Sequence, residues 1–290
     1  MIGDILAIRC RLTSHLPGEV APMFPALSRP LPRLRDRYGP AALVTGASDG
    51  IGRAFARQLA AAGFDLVLTA RREAVLTELA GALRSRHGVD VQVLAADLAE
   101  AEQVGRIAEA TAGRDLGLLV AAAGFGTSGP FIEGDLAAEL GMIDVNCRSL
   151  AEVTHVFARR FAERGRGGIV LLSSLVAFQG VPRAANYAAT KAYVQSLAEG
   201  LHAELRARGV DVLAAAPGPV VSGFGGRAGM RIAAGQTPDE VAAGSLRALG
   251  RRATVRPGFL AKALETALTP LPRFGRVAMM GRVMAGMTAR

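Results

Sequence analysis

The stretch from Ala41 to about Ala62 limits most strongly what this chain can fold into. A short apolar run, Ala41 to Thr45, turns through Gly46-Ala47-Ser48-Asp49-Gly50-Ile51-Gly52 into an amphipathic helix. A strand that turns tightly on glycine and feeds a helix begins a right-handed crossover. Crossovers of that kind build a parallel sheet with helices on both faces. The remaining chain repeats the pattern. Strands are expected at Asp65 to Thr69, Val91 to Ala95, Leu116 to Ala122, Ile169 to Leu172 and Val210 to Ala216, with a short one near Thr254. Helices are expected at about 72–87, 100–112, 136–164, from Tyr187 to about Arg208, 238–249 and 259–269. The expected class is α/β, a single doubly wound parallel sheet occupying residues 39–270.

Ligands bind such sheets in the crevice at the carboxyl ends of the strands. The Gly-rich turn lets backbone approach a pyrophosphate, and the helix it opens offers free N–H groups and positive potential. A mere tight turn is the plainer alternative, but the position between strand and helix favours phosphate. Gly46, Ser48, Asp49, Gly50, Ile51 and Gly52 are therefore candidate cofactor contacts. An acidic residue after the second strand would bond a ribose 2′-hydroxyl. That position holds Ala70, followed by Arg71 and Arg72. A guanidinium there suits a 2′-phosphate, which points to NADP(H) over NAD; a solvated helix start is the other reading. Asp97 and Leu98 follow the third strand, near where an adenine would lie, although Asp97 serves equally as a helix cap. Gly124 follows the fourth strand, and Pro217, Gly218 and Val220 follow the sixth. The Gly-rich residues 223–237 suit a mobile flap over a pocket.

The chemistry concentrates after the fifth strand, in Ser173-Ser174 and in Tyr187-Ala188-Ala189-Thr190-Lys191. Residues four apart on a helix share a face, so Tyr187 and Lys191 converge one turn apart, with Ser174 at the strand end. A free tyrosine has a pKa of about 10, and a neighbouring ammonium is expected to lower it. Lysine is scarce here. Only Lys191 and Lys262 occur among the 34 basic residues, which suggests that a compact ammonium is wanted. A buried Tyr and a surface Lys at an ordinary helix start is the alternative. Asn146, polar and inside an expected helix, is either solvent-facing or functional.

The net charge of +9 resembles a nucleic-acid signal until it is divided along the chain. Residues 1–38 carry +3, residues 39–250 carry −1 and residues 251–290 carry +7. The middle is neutral, which argues against nucleic acid. Residues 1–38, rich in Pro, read as a loosely ordered extension. Residues 271–290 interleave Arg273, Arg276, Arg282 and Arg290 with Phe274, Val277, Met279, Met280, Val283, Met284 and Met287. That basic amphipathic tail suits peripheral contact with a membrane, a partner subunit or the chain's own pocket. Cys10 and Cys147 make no disulfide framework, the four His are scattered, and no metal site is expected. A cytoplasmic location fits, since no apolar run reaches the roughly 20 residues of a membrane span. Ala192, Ser196, Gly200 and Ala203 form a face of small residues that suits a partner subunit or packing within the chain.

With these residues in view, the chain resembles the short-chain dehydrogenase/reductase family over roughly 40–258. TGxxxGxG is Thr45 to Gly52, the NNAG motif falls on Ala121-Ala122-Ala123-Gly124, and YxxxK is Tyr187 to Lys191. Ser174 stands thirteen positions before Tyr187, and Pro217-Gly218 matches the PG motif. The glycine spacing resembles the non-extended branch. The resemblance implies a Rossmann-type fold and a homodimer or homotetramer. It implies that Tyr187 exchanges the proton at a carbonyl or alcohol oxygen and that Ser174 bonds that oxygen. Lys191 would bind the nicotinamide ribose and lower the tyrosine pKa, and Asn146 would hold a water in a relay to Lys191. Both asparagines of NNAG are Ala here, which removes a brace of the adenosine side but no proton-transfer group. The chain is most similar to 3-oxoacyl and 17β-hydroxysteroid reductases. A lipophilic small-molecule carbonyl or alcohol is therefore expected, in a pocket formed by Phe125, Phe178, Val181 and Phe224. A non-catalytic Rossmann module that senses nucleotide is the other reading. The Asn146, Ser174, Tyr187 and Lys191 set argues against it, since a sensor needs no proton relay.

Overall fold

The structure is a computed structural model that describes residues 32–232 and 235–288; the expected extension over 1–31 lies outside them. Seven parallel strands form one sheet: β1 (Ala41–Thr45), β2 (Asp65–Ala70), β3 (Val91–Ala95), β4 (Leu116–Ala121), β5 (Gly167–Leu172), β6 (Val210–Ala215) and β7 (Thr254–Val255). Their order is β3-β2-β1-β4-β5-β6-β7. The winding reverses between β1 and β4, and that reversal opens a crevice at the strands' carboxyl ends. The helices are α1 (Pro32–Tyr38), α2 (Gly50–Ala61), α3 (Glu73–His87), α4 (Gln103–Ala110), α5 (Leu136–Ile143), α6 (Leu150–Glu163), α7 (Ala185–Leu205), α8 (Gly223–Arg227), α9 (Pro238–Ala248), α10 (Phe259–Leu268) and α11 (Arg273–Thr288).

The strands are apolar on both faces because both faces are covered. Alternate residues Ala42, Val44, Leu66, Leu68, Leu118 and Val120 pack with Phe55 and Leu59 of α2, Leu76 and Leu79 of α3 and Leu246 of α9. Their neighbours Leu43, Val67, Leu119, Ile169 and Val212 pack with Ile107 of α4, Phe157 and Phe161 of α6 and Val194 of α7. Period-two alternation therefore feeds two separate cores, one on each face. On α7 an apolar stripe, Val194, Leu197, Leu201 and Leu205, packs on the second core. Ser196, Gly200 and Ala203 face outward.

Two expectations are corrected, and the alternatives left open for the tail are resolved. Residues 32–38 are not a loose extension, because α1 carries Leu34 and Tyr38 into the core. Tyr38 Oη donates to Asp211 Oδ2 at 2.9 Å, and Arg37 pairs with the same carboxylate at 2.6 Å. The helix expected over 136–164 is interrupted by a π-helical turn, Asp144–Ser149, between α5 and α6. Widened turns of this kind recur at functional sites, and this one carries Asn146. The tail is helical. Met280 and Met284 of α11 bury against Val181, Ala184, Ala188 and Leu268, so the tail folds back on its own body. No helix of the described residues is long and apolar enough to cross a membrane.

Candidate active site

A cavity of about 390 Å³ runs along the carboxyl edge of the sheet. At one end lies the Gly-rich turn. Gly46 has φ +67°, and a Cβ there would sit 2.8 Å from the backbone of Ala122 and Ala123. A Cβ on Gly52 would strike the carbonyl of Gly46. Glycine is thus required for β1, β4 and α2 to meet this closely, and the open N-terminus of α2 faces the cavity. Asp49 caps α2 by accepting from Gly50 N at 2.7 Å. Asp97 accepts from Ala99 N at 3.0 Å in a local turn, whereas α4 starts only at Gln103 with Glu102 at its N-cap, so Asp97 is not the helix cap of the alternative reading; it lines the cavity beside Leu98. Arg71 lies 3.7 Å from Asp97, while Arg72, absent from the expected contacts, donates to Ser48 Oγ at 3.2 Å. Two guanidiniums therefore stand at the end of β2. Where the NNAG motif has lost its asparagines, Thr45 Oγ1 accepts from Ala123 N at 3.0 Å and ties β1 to the turn after β4. A Gly-rich recess at a helix N-terminus, with guanidiniums at the β2 edge and Ala70 where a ribose-binding carboxylate would stand, fits a phosphorylated dinucleotide.

Ser174, Tyr187 and Lys191 line one cavity. The β5 end and α7 hold them in register: Ser173 Oγ donates to Lys191 O at 3.2 Å, and Lys191 Nζ donates to Leu172 O at 2.7 Å. Lys191 Nζ lies 5.8 Å from the Tyr187 ring centroid. Ser174 starts the 3₁₀ turn Leu175–Phe178, and its hydroxyl is in hydrogen-bond contact with Tyr187. Burial pushes the Tyr187 phenol up to about 12, with the Ser174 bond opposing. Burial also lowers Lys191 to about 8. The sequence predicted the opposite direction for tyrosine. Desolvation of the phenolate outweighs the Ser174 bond, so the phenol is held protonated at neutral pH. Asn146 is fully buried. Its Oδ1 accepts from Phe125 N at 3.1 Å, and its Nδ2 donates to Phe125 O at 2.9 Å and to Thr190 Oγ1 at 3.0 Å. The solvent-facing alternative is excluded. A Cβ on Gly124 would lie 2.8 Å from Asn146 Oδ1 and 3.6 Å from Lys191 Nζ, so glycine keeps open the space between those groups.

The far end is apolar. Phe125 and Phe224 line it as expected, and the Phe224 ring packs 5.4 Å from the Tyr187 ring. Phe178 and Val181 are not in the cavity wall. Phe178 lies under the Arg256 guanidinium at 4.2 Å, and Val181 is buried in the cluster that Met280 and Met284 of α11 share. Their places are taken by Met230, Ile232 and Leu264, and by Met280, Val283, Met284 and Met287 of α11. The alternation of Met with Arg in the tail was the available signal, although it suited other surfaces equally. Pro217, Gly218 and Val220 complete the wall, and Pro217 O accepts from Leu175 N at 2.9 Å. The flap after Val220 is pinned at its base, where Gln236 N donates to Pro219 O at 2.9 Å and Gln236 O accepts from Val221 N at 3.0 Å.

A family model described as short chain dehydrogenase matches residues 40–229. The chain belongs to the short-chain dehydrogenase/reductase family. A 7beta-hydroxysteroid dehydrogenase of Clostridium sardiniense is 31% identical over 253 residues, covering 86% of this chain and 97% of that protein. A very-long-chain 3-oxoacyl-CoA reductase of Podospora anserina is 37% identical over 191 residues, covering 64% of this chain and 56% of that protein. A solved short-chain dehydrogenase of Sphingobium yanoikuyae, in complex with NADPH, is 32% identical with a TM-score of 0.71, covering 80% of this chain and 94% of that one. As a short-chain dehydrogenase/reductase, this protein is an oxidoreductase acting on hydroxyl or carbonyl groups of small molecules, with a nicotinamide dinucleotide.

Proposed function

We propose that this dehydrogenase/reductase uses NADPH to reduce the carbonyl of a bulky lipophilic substrate, with Tyr187 as proton donor. The observation that carries the proposal is the convergence of Ser174, Tyr187 and Lys191 midway along one cavity, between a glycine-rich phosphate recess and an apolar wall. The steroid and 3-oxoacyl chemistry of the relatives supports a lipophilic carbonyl. Arg71, Arg72 and the NADPH bound by a relative support NADP(H) over NAD. The helix α5 exposes Leu136, Leu140 and Ile143 beside Phe131 and Ile132. That apolar stripe supports assembly as a homodimer or homotetramer.

In this reading Gly46, Ser48, Asp49, Gly50, Ile51 and Gly52 hold the pyrophosphate, and Arg71 with Arg72 hold the 2′-phosphate. Asp97 and Leu98 flank the adenine, while Gly124, Pro217, Gly218 and Val220 border the nicotinamide half. When bound, NADPH supplies the hydride to the substrate carbon. Tyr187 gives its phenolic proton to the carbonyl oxygen, and Ser174 donates a hydrogen bond to the same oxygen. A phenol near 12 stays protonated at neutral pH and is poised to donate. Lys191 holds a ribose hydroxyl and favours the phenolate left behind. Asn146 spends both N–H groups on Phe125 and Thr190, and its Oδ1, which accepts one bond from Phe125 N, keeps a second lone pair to hold a relay water toward Lys191.

NADPH consumption against a panel of short ketones, 3-oxoacyl thioesters and steroid ketones tests the assignment. Tyr187→Phe is expected to lower kcat at least ~10³-fold, since it removes the general acid, while NADPH affinity stays unchanged. Equal rates in the two proteins would sink the assignment.

A further inference from the structure

The cavity wall changes character along its length. At the recess its charged side chains are Asp49, Arg71, Arg72 and Asp97, which cap a helix, face each other or lean on the Gly-rich turn. Beyond Tyr187 the lining is apolar, with one charged residue, Arg227. Arg227 is the last residue of α8, three positions after Phe224, and so shares a face with the ring that packs on Tyr187. It is exposed at the rim, and among the described residues no ion pair or side-chain hydrogen bond engages it. The backbone around it is anchored. Ser128 Oγ donates to Ala228 O at 2.6 Å, and Arg231 N donates to Met287 O at 2.9 Å. The guanidinium thus stands on a fixed base in the wall that the methionines of α11 also line, and among the described residues no carboxylate pairs with it.

A cation at the mouth of an apolar slot is suited to an amphiphile whose far end is an oxyanion. We propose that Arg227 recognises an anionic group of the substrate, so that the substrate class is a lipophilic ketone or alcohol bearing a carboxylate, or the phosphate of a thioester carrier. The proposal rests on the carbonyl-reductase reading of the same cavity. Two anchors follow from it: the reacting oxygen at Ser174 and Tyr187, and the oxyanion at Arg227. The apolar body spans the wall of α11 between them. A fixed separation between anchors then selects which carbonyl along a rigid substrate reaches Tyr187, so Arg227 acts on regioselectivity as well as affinity.

The test uses the full chain saturated with NADP⁺ and measures equilibrium binding by calorimetry, so that turnover is not needed. Two matched pairs serve as probes: a steroid ketone carboxylate beside its methyl ester, and a 3-oxoacyl phosphopantetheine thioester beside the corresponding N-acetylcysteamine thioester. In at least one pair the anionic member is expected to bind about fivefold more tightly, as an exposed ion pair allows. That advantage shrinks in high salt, survives in Arg227→Lys and vanishes in Arg227→Gln, while the neutral members and NADPH bind all three proteins alike. The pair that shows the effect identifies the source of the oxyanion. An advantage retained in Arg227→Gln, or absent in wild type for both pairs, overturns the proposal. Weaker NADPH binding in Arg227→Gln overturns it too, and assigns the guanidinium to the cofactor phosphates. Arg227-dependent binding without turnover of either ketone leaves the anion site standing and removes the reductase reading.

Discussion

Lys191 shows how one residue can be costly to the fold and useful to the chemistry. Only 6% of it is exposed, and burial lowers its pKa from 10.5 to about 8. The folded state therefore disfavours the charged form. The unfolded chain holds more protons between those two values, so stability rises as pH climbs through that window. Below pH 8 the buried ammonium costs about 3 kcal/mol, from the shift. Replacing it also strands the Leu172 carbonyl, at about 1 kcal/mol. Lys191→Met is thus expected to raise the unfolding free energy of the cofactor-free protein by about 2 kcal/mol near neutral pH. The gain should fade as pH rises through the window, read by urea unfolding at several pH values, and the variant should be inactive. A gain that does not change with pH would mean that Lys191 is not the group under strain. At this scale the identities of Ser174, Tyr187 and Lys191 were legible, because their spacing is local. The direction of the tyrosine shift was not, because desolvation depends on what the rest of the chain packs around the phenol.

In the proposed reading, the β2–α3 turn is the element that selects the cofactor. It delivers two guanidiniums from adjacent positions, Arg71 toward Asp97 and Arg72 toward the Gly-rich turn. Arg71→Asp is expected to lower the NADPH/NADH ratio of kcat/KM about tenfold, the loss of one charge-assisted bond. The double variant with Arg72→Ala should lower it further. An unchanged ratio in Arg71→Asp would leave Arg72 as the sole clamp. Most elements were legible in the same way. The glycine-rich turn and the strand runs are local signals. The π-helical turn at Asn146 was not legible, because the hydrophobic period runs through it. What requires it is the bonding of Asn146 to Phe125 and Thr190, residues 21 and 44 positions away.

Across the whole molecule stability is uneven. The strands β1, β4 and β5 lie between two large cores, whereas α11 rests on a cluster with six buried residues, Met280 and Met284 among them. Local openings follow such differences, so amides of α11 are expected to exchange well before those of the central strands. A lipophilic ligand should slow them selectively, since α11 is part of the cavity wall. Uniform exchange across sheet and tail would contradict this. Taken alone, the amino-acid sequence determined the parallel sheet, the Gly-rich turn at its edge and the nearness of Ser174, Tyr187 and Lys191, because each is written in spacings of a few residues around strand ends. The tertiary structure decided where the C-terminal helix lands, and with it the substrate end of the cavity. An apolar, arginine-flanked helix suits a membrane, a partner or its own fold equally well. Only the packing of Met280 and Met284 against Val181 and Ala184, about a hundred residues away in the chain, resolves that choice.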